Sequence, residues 1–407
     1  MTEVSLYPAT CAVCYPVAPG VQGGLGHHAR EVVEASGRAF TNVTALGPAP
    51  AVPVPSTVSV FGSPPPAAAW HKPYNWRRYF QGAAQLESDR AFGRWLSTSL
   101  DPDVDGFYVF TQIGLELLTR YGGSVRHVLD NPNGHIRDYR EAVQREADLW
   151  LPTPYPAHPT EAMVRRVEEE FSRAQCVRVA STWASRSMQA RGIASEKIAI
   201  VPHGIDAEWF SGETTREPAV GSLRVLFVGN IALAKGFHYL LSAAKRLASR
   251  SIAVRFVGST GDPWCRRLFE NLSTGLNVTM EPGDPRPAYR DCDVVVLPTL
   301  HDGFGYVVAE AMACGRPVIT TDRCGAAEWI RHGESGWVIP AGDIDALATA
   351  LDGAAANRGD LRDRGIEARR DAERLAIASM RPALVTLMQR QLTGASAGFA
   401  SSHAVSS

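Results

Sequence analysis

At 407 residues and 45% hydrophobic side chains, the chain exceeds the size at which one core stops growing, so two domains are expected. Charge is balanced at 41 Lys+Arg against 42 Asp+Glu, and residues 1–200 carry 19 of each, which argues against nucleic acid or an anionic membrane as the main partner of either half. No apolar stretch reaches the roughly 18 residues of a membrane span and the first residues lack a basic and apolar leader, so a soluble chain is expected, with peripheral membrane contact left open.

The seven cysteines form no repeated framework. The one close pair, Cys11-Ala-Val-Cys14, reads as small apolar side chains within a strand, and free thiols fit a reducing cytoplasm. Thr10 to Tyr15 is that strand. It leads through Gly23-Gly24-Leu25-Gly26 into an amphipathic helix ending at about residue 36, a strand, glycine turn and helix in which backbone can approach a phosphate closely. Residues 48–69 read as extended connections around a strand at 57–61. The stretch Trp70-His-Lys-Pro-Tyr-Asn-Trp-Arg-Arg-Tyr-Phe80 sets Arg77 and Arg78 among aromatic rings. It suits either an acceptor site for sugars and phosphates or a loop packed on a helix.

Strands are expected at 106–111 and 124–129, the second ending in the polar loop Asp130-Asn131-Pro132-Asn133-Gly134-His135. Ligands of open α/β sheets bind at such carboxyl ends. A helix follows from about 137 to 149, then a helix over 159–174 with Glu168, Glu169 and Glu170 on its solvated side, a strand at 176–180, a helix at 181–191 and a strand at 198–201. After a polar linker at 211–222, residues 223–228 open the second domain. Lys235 precedes a helix reaching about residue 249, so its ammonium and the helix N-terminus converge on one place suited to phosphates.

Val294 to Leu297 is an unbroken apolar run, the pattern of a strand buried on both faces of a parallel sheet. Gly303 and Gly305 let the chain turn into a helix from about 306 to 314, which Gly315 and Pro317 stop. Asp302 lies in the turn and Glu310 on the helix. Carboxylates that accept from hydroxyls, beside a helix start that attracts phosphate, suit a nucleotide sugar. The alternative is a core βαβ unit with two solvated acids.

The run Asp302-Gly-Phe-Gly-x4-Glu310-Ala-Met-Ala-x-Gly315-x-Pro317-Val resembles the signature of the retaining glycosyltransferases of family 4. The resemblance continues in Val201-Pro-His-Gly-Ile-Asp206, in Val228-Gly-Asn-Ile-Ala-Leu-Ala-Lys235-Gly and in Gly333-Glu-Ser-Gly336-Trp. It implies an α/β chain of GT-B fold, two Rossmann-like domains facing across a cleft. Residues 1–205 would form the acceptor domain and 206–377 the donor domain. The helix 378–393 would cross back to the first domain, and 394–407 would be a disordered tail. The implied activity is sugar transfer from a UDP- or GDP-linked donor to a small-molecule, glycan or lipid-linked acceptor, with no cofactor and no metal.

Residue by residue, the resemblance places Asp302 and His135 beside the transferred sugar and Lys235 on the leaving diphosphate. Gly23, Gly24, Asn230, Phe304, Gly305 and Tyr306 would meet the donor, and Glu310 its ribose hydroxyls. The acceptor-side candidates are Asp130, Asn131, Asn133, Arg77 and Arg78. Two positions depart from the family: Asp302 stands where it usually has Glu, and Asn230 where it has Arg. Arg266 or Arg267 is therefore a candidate second cation. The departures also leave room for a degenerate GT-B protein that binds without turnover, and the fold also hosts epimerases and phosphorylases.

Overall fold

The computed structural model describes residues 6–20, 23–62, 82–152, 155, 159–206, 210, 221–247 and 249–394. The first domain runs β1 (Tyr7–Cys14), α1 (Gly24–Ala39), β2 (Phe40–Leu46), β3 (Val58–Phe61), α2 (Gly82–Ser99), β4 (Gly106–Phe110), α3 (Leu115–Tyr121), β5 (Arg126–Asp130), α4 (Ile136–Trp150), α5 (Glu161–Arg173), β6 (Cys176–Val179), α6 (Thr182–Ala190) and β7 (Ile198–Ile200). The second runs β8 (Leu223–Val228), α7 (Phe237–Arg246), β9 (Ile252–Val257), α8 (Pro263–Ser273), β10 (Asn277–Glu281), α9 (Arg286–Asp291), β11 (Val294–Leu297), α10 (Tyr306–Ala313), β12 (Val318–Thr321), β13 (Gly336–Ile339), α11 (Ile344–Ala356) and α12 (Asp360–Glu373). A last helix, α13, spans Ile377–Thr393.

Both sheets are parallel, in the orders β3-β2-β1-β4-β5-β6-β7 and β10-β9-β8-β11-β12-β13. Each order reverses once, beside β1 in the first sheet and beside β8 in the second. There the following connections leave in opposite directions and a crevice opens at the carboxyl ends. The central strands β4 (Gly-Phe-Tyr-Val-Phe) and β11 (Val-Val-Val-Leu) are buried throughout, as helices on both faces of a parallel sheet require.

The pattern of the sequence does not supply β2, α2 or α8. Phe40 starts β2 directly at the end of α1, and the nearest glycine, Gly37, lies inside the helix rather than at the boundary. The helix α8 does carry a start signal, since Asp262 accepts from the N–H groups of Trp264 and Cys265 at 2.9 Å each and Pro263 follows it. One placement is reversed. Glu170 is buried rather than solvated: its carboxylate accepts from the N–H groups of Gln112, Gly114 and Leu115 at 2.8 to 3.1 Å, capping the start of α3 from a distance. Glu168 instead pairs with Arg137 at 2.6 Å.

The domains meet along more than the two chain crossings. At the crossings Ile205 bridges to Ala376, with Ile205 N–H to Leu375 O at 2.8 Å and Ile377 N–H to Ile205 O at 3.0 Å. Beyond them, α13 places Leu384, Val385, Met388 and Leu392 in the first domain's core, and Arg381 pairs with Glu31 and Glu34 of α1. Val143 and Ala147 of α4 belong in turn to the second domain's core. Beside them Glu146 accepts from Tyr239 Oη at 2.8 Å and bonds His238 Nε2 at 3.0 Å. All seven cysteines are buried and free. Among the described residues no helix is long and apolar enough to cross a membrane.

Candidate active site

The second sheet reverses between β8 and β11, and the loops leaving these strands carry Lys235 and Asp302. After β8 the chain passes Asn230, makes a 3-10 turn at Leu233–Lys235, and enters α7 through Gly236 in the left-handed region, with φ 72°. Only glycine fits there, because a Cβ would stand 1.8 Å from Pro298 O. The close approach ties the two loops: Thr299 Oγ1 and Leu300 N–H both donate to Ala234 O at 2.8 Å. Lys235 Nζ consequently reaches Asp302 Oδ2 at 2.5 Å, both side chains remaining partly open to solvent.

From Asp302 the chain turns through Gly303 and Phe304 to Gly305, whose φ of 84° starts α10 at Tyr306. The start of α10 lies beside Asp302, a Cβ on Gly305 standing 3.7 Å from Asp302 Cγ; Val308 N–H is spent on Gly305 O at 2.9 Å, and the positive end of the helix faces the turn. One turn along, Glu310 is buried and accepts from Tyr289 Oη at 2.8 Å. Burial pushes its carboxyl up to about 7, against the lowering effect of that hydrogen bond. A cavity of about 300 Å³ opens between α1, the crossing at 204–206 and α10, walled in part by His27, Arg30, Asp206, Tyr306 and Glu310.

The first domain supplies the opposite wall. Gly23, with φ 114°, leads into α1, and Gly24 faces Tyr306 so closely that a Cβ would stand 2.7 Å from Cδ2 of that ring. The Tyr306 ring also stacks on His203, centroids 5.0 Å apart at 25°, and its hydroxyl is buried without a hydrogen-bond partner. Behind His203 lies a buried polar cluster. Asp130 Oδ2 takes His28 Nε2 at 2.5 Å and Tyr108 Oη at 2.6 Å, and Arg178 Nη1 donates to Asp130 Oδ1 at 3.2 Å. Arg178 Nη2 also donates to Val201 O and reaches His203 Nδ1 at 3.2 Å, and His203 Nδ1 lies 3.0 Å from His28 Nδ1. Burial opposes the Asp130 charge, but His28 and Arg178 outweigh it and hold the carboxyl down at about 2.

Lys235 and Asp302 thus meet beside Gly305, and Gly24 packs on Tyr306, which lines the cavity with Glu310; Gly23 touches none of them, and several other candidates do not join them. His135 is buried, accepts from Arg137 N–H at 3.2 Å as the N-cap of α4, and lies against Phe171, so it is a capping residue. Asp130 is the last residue of β5 and fully buried in its ion pairs, so it offers no acceptor contact. Asn131 is buried too, its amide donating to Asn133 O at 2.7 Å and Gly134 O at 3.3 Å. Asn133 is committed to the second domain, its Oδ1 accepting from Gly303 N–H at 2.7 Å.

On the donor side, Phe304 is buried against His203 and Tyr306, so its ring has no face for a ligand. Asn230 accepts from Ser259 Oγ at 2.6 Å. Arg266 and Arg267 point to solvent on α8, and Arg77 and Arg78 lie outside the described residues. Sequence reasoning missed His301, which is buried between the rings of Tyr139 and Trp183 with both ring nitrogens unpartnered. Burial takes it down to about 4. Its only signal was its place directly before Asp302.

Residues 222–357 match the family of glycosyl transferases group 1. Over that segment the chain is similar to group 1 glycosyl transferases, and its two sheets have the GT-B fold. The fold follows from sucrose-phosphate synthase of Thermosynechococcus elongatus, which superposes with a TM-score of 0.70 over 95% of this chain and all of that one at 19% identity. Anabaena HepE, solved in complex with UDP-glucose, gives 0.63 over 93% of this chain and 99% of that one at 16% identity. In sequence, the chain is similar to WcaL of Salmonella typhimurium, named as a colanic acid biosynthesis glycosyltransferase, at 30% identity over 42% of this chain and 45% of that protein. A D-inositol 3-phosphate glycosyltransferase of Thermomonospora curvata is 28% identical over 60% of this chain and 61% of that one. The match thus spans about half the length of these curated relatives.

Proposed function

We propose that the protein transfers a sugar from a UDP- or GDP-linked donor to an acceptor hydroxyl, with retention at the anomeric carbon and without a divalent metal. The observation that carries this reading is the Lys235 and Asp302 pair at the reversal of the second sheet, beside the start of α10. In such a transfer the bond from the anomeric carbon to the diphosphate oxygen breaks while the sugar takes on oxocarbenium character. Negative charge then grows on the leaving diphosphate. In this reading Lys235, once drawn from Asp302, and the positive start of α10 offset that charge. In this reading Asp302 faces the sugar ring, and Glu310, which walls the neighbouring cavity, takes the ribose hydroxyls. The complex of HepE with UDP-glucose supports a donor of this class on this fold.

A second reading, binding without turnover, is favoured by Asn230 and by the engagement of Lys235 with Asp302. Release of nucleoside diphosphate from a panel of UDP- and GDP-sugars, with and without EDTA, separates the two. Turnover that survives EDTA is expected. Binding with no release would establish the second reading, and loss with EDTA restored by manganese would overturn the metal-free one.

A further inference from the structure

We infer that Asn133 and Ser181 are positioning residues for Asp302: the first domain grips the peptide on both sides of Gly303 and thereby sets the carboxylate. The inference rests on the role given to Asp302 in the proposed transfer. Asn133 Oδ1 accepts from Gly303 N–H, and Ser181 Oγ donates to Gly303 O, each at 2.7 Å. These are the two polar groups of one residue, held from two loops of the other domain. The fit is tight. A Cβ on Gly303 would stand 2.3 Å from Asn133 Cα and 2.4 Å from Pro132 O, and one on Gly325 would stand 2.1 Å from Gly303 O.

Both gripping side chains are themselves oriented. Asn133 Oδ1 also accepts from Gly134 N–H at 3.0 Å, and the Asn131 amide holds the Asn133 carbonyl. Ser181 is the N-cap of α6, accepting from Ala184 N–H at 3.0 Å. The next two N–H groups of that helix, of Thr182 and Trp183, donate to Glu328 of the second domain at 3.1 and 2.6 Å. On the other flank of Asp302, the His301 ring is inserted between Tyr139 of α4 and Trp183 of α6. The backbone of Asp302 stays with its own domain, its N–H donating to Arg323 O and its carbonyl accepting from Gly325 N–H, each at 3.0 Å.

Asp302 is thus aligned only while the domains are together. Its neighbours on either side are held by the first domain and its own peptide by the second. A displacement of about 1 Å at a reacting centre costs on the order of 10²-fold in rate, so loss of the grip should appear in turnover and not in nucleotide affinity.

The test uses the full chain with Asn133→Ala and Asn133→Asp. Hydrogen exchange by mass spectrometry on peptides spanning 299–305 reads the grip whether or not the protein is active. Acceptor-free hydrolysis of a nucleotide sugar that the parent turns over reads its consequence, and calorimetry with UDP or GDP reads donor binding. Asn133→Ala is expected to speed exchange at 299–305 and to slow hydrolysis about 10- to 100-fold, with nucleotide affinity within about 3-fold of the parent. Asn133→Asp keeps the accepting oxygen and is expected to recover most of the rate. Unchanged exchange would overturn the grip. Unchanged hydrolysis with a raised acceptor KM would make Asn133 an acceptor contact, and lost nucleotide binding with a lowered melting temperature would make it a folding residue. A parent inactive on every nucleotide sugar would sink the proposed function, while the exchange data still decide the grip.

Discussion

Lys235 and Asp302 share one ion pair at 2.5 Å, so the proposed transfer requires a donor diphosphate to draw the ammonium toward itself while the carboxylate turns to the sugar. Lys235→Ala removes that cation. Steady-state release of nucleoside diphosphate is expected to fall on the order of 10²-fold or more in kcat/KM, and a near-normal rate would mean that another group holds the leaving diphosphate. At Glu310, burial raises the carboxyl from 4.5 to about 7. Across that window the folded protein keeps a proton that the unfolded chain has released, so this group's contribution to stability declines as the pH rises through it. Ribose hydroxyls donate to the ionised form and favour it. Calorimetry from about pH 6 to pH 8 should therefore show nucleoside diphosphate binding strengthening more steeply for the parent than for Glu310→Gln. Parallel pH profiles would remove Glu310 from the ribose. These acids were legible in the sequence because glycines and an apolar strand fix their place in a short unit. His301 was not, since nothing local says that a loop histidine will be inserted into another domain.

Among the elements, α4 shows where residue identity misleads. A histidine in a polar loop at a strand's carboxyl end suggests chemistry, yet the His135 Nδ1 is spent on Arg137 N–H and its ring on Phe171. His135→Asn keeps a cap acceptor, so turnover is expected to stay near the parent's, whereas His135→Ala should cost about 1 kcal/mol of stability by thermal or denaturant unfolding. A large loss of kcat in His135→Asn with unchanged stability would return the residue to the active site. Glu170 teaches the same lesson in reverse. Three consecutive glutamates read as a solvated face, but the third turns inward because α3 begins with N–H groups that its own sequence does not cap. Strand and helix types followed from apolar runs and glycine punctuation, while β2 escaped because the glycine before it, Gly37, lies within α1 and not at its end.

For the molecule as a whole, the alternation of strands and helices and the resemblance implied two Rossmann-like domains, but neither the strand order with its reversal points nor the closeness of the domains was legible. That closeness lives in contacts between distant residues, such as Glu146 with Tyr239, His203 with Tyr306 and Asn133 with Gly303. The buried cluster around Asp130 braces the wall behind them. Its carboxyl is depressed to about 2, so the stability it supplies is full above the ordinary carboxylate value and is lost as the pH falls toward 2. Asp130→Asn leaves Arg178 buried with one fewer anion and should destabilise the first domain by about 3–5 kcal/mol in denaturant unfolding at neutral pH, a loss that shrinks on acidification. A cost below about 1 kcal/mol would show that the cluster does not brace the fold.

The proposed transfer moves a sugar with retention from a nucleoside diphosphate that leaves at Lys235. Proton NMR during turnover of an α-linked UDP- or GDP-sugar observes the anomeric signal of the first-formed product directly. An α-anomer accumulating before mutarotation, in step with nucleoside diphosphate, is the expected result; a β-anomer appearing first would contradict it.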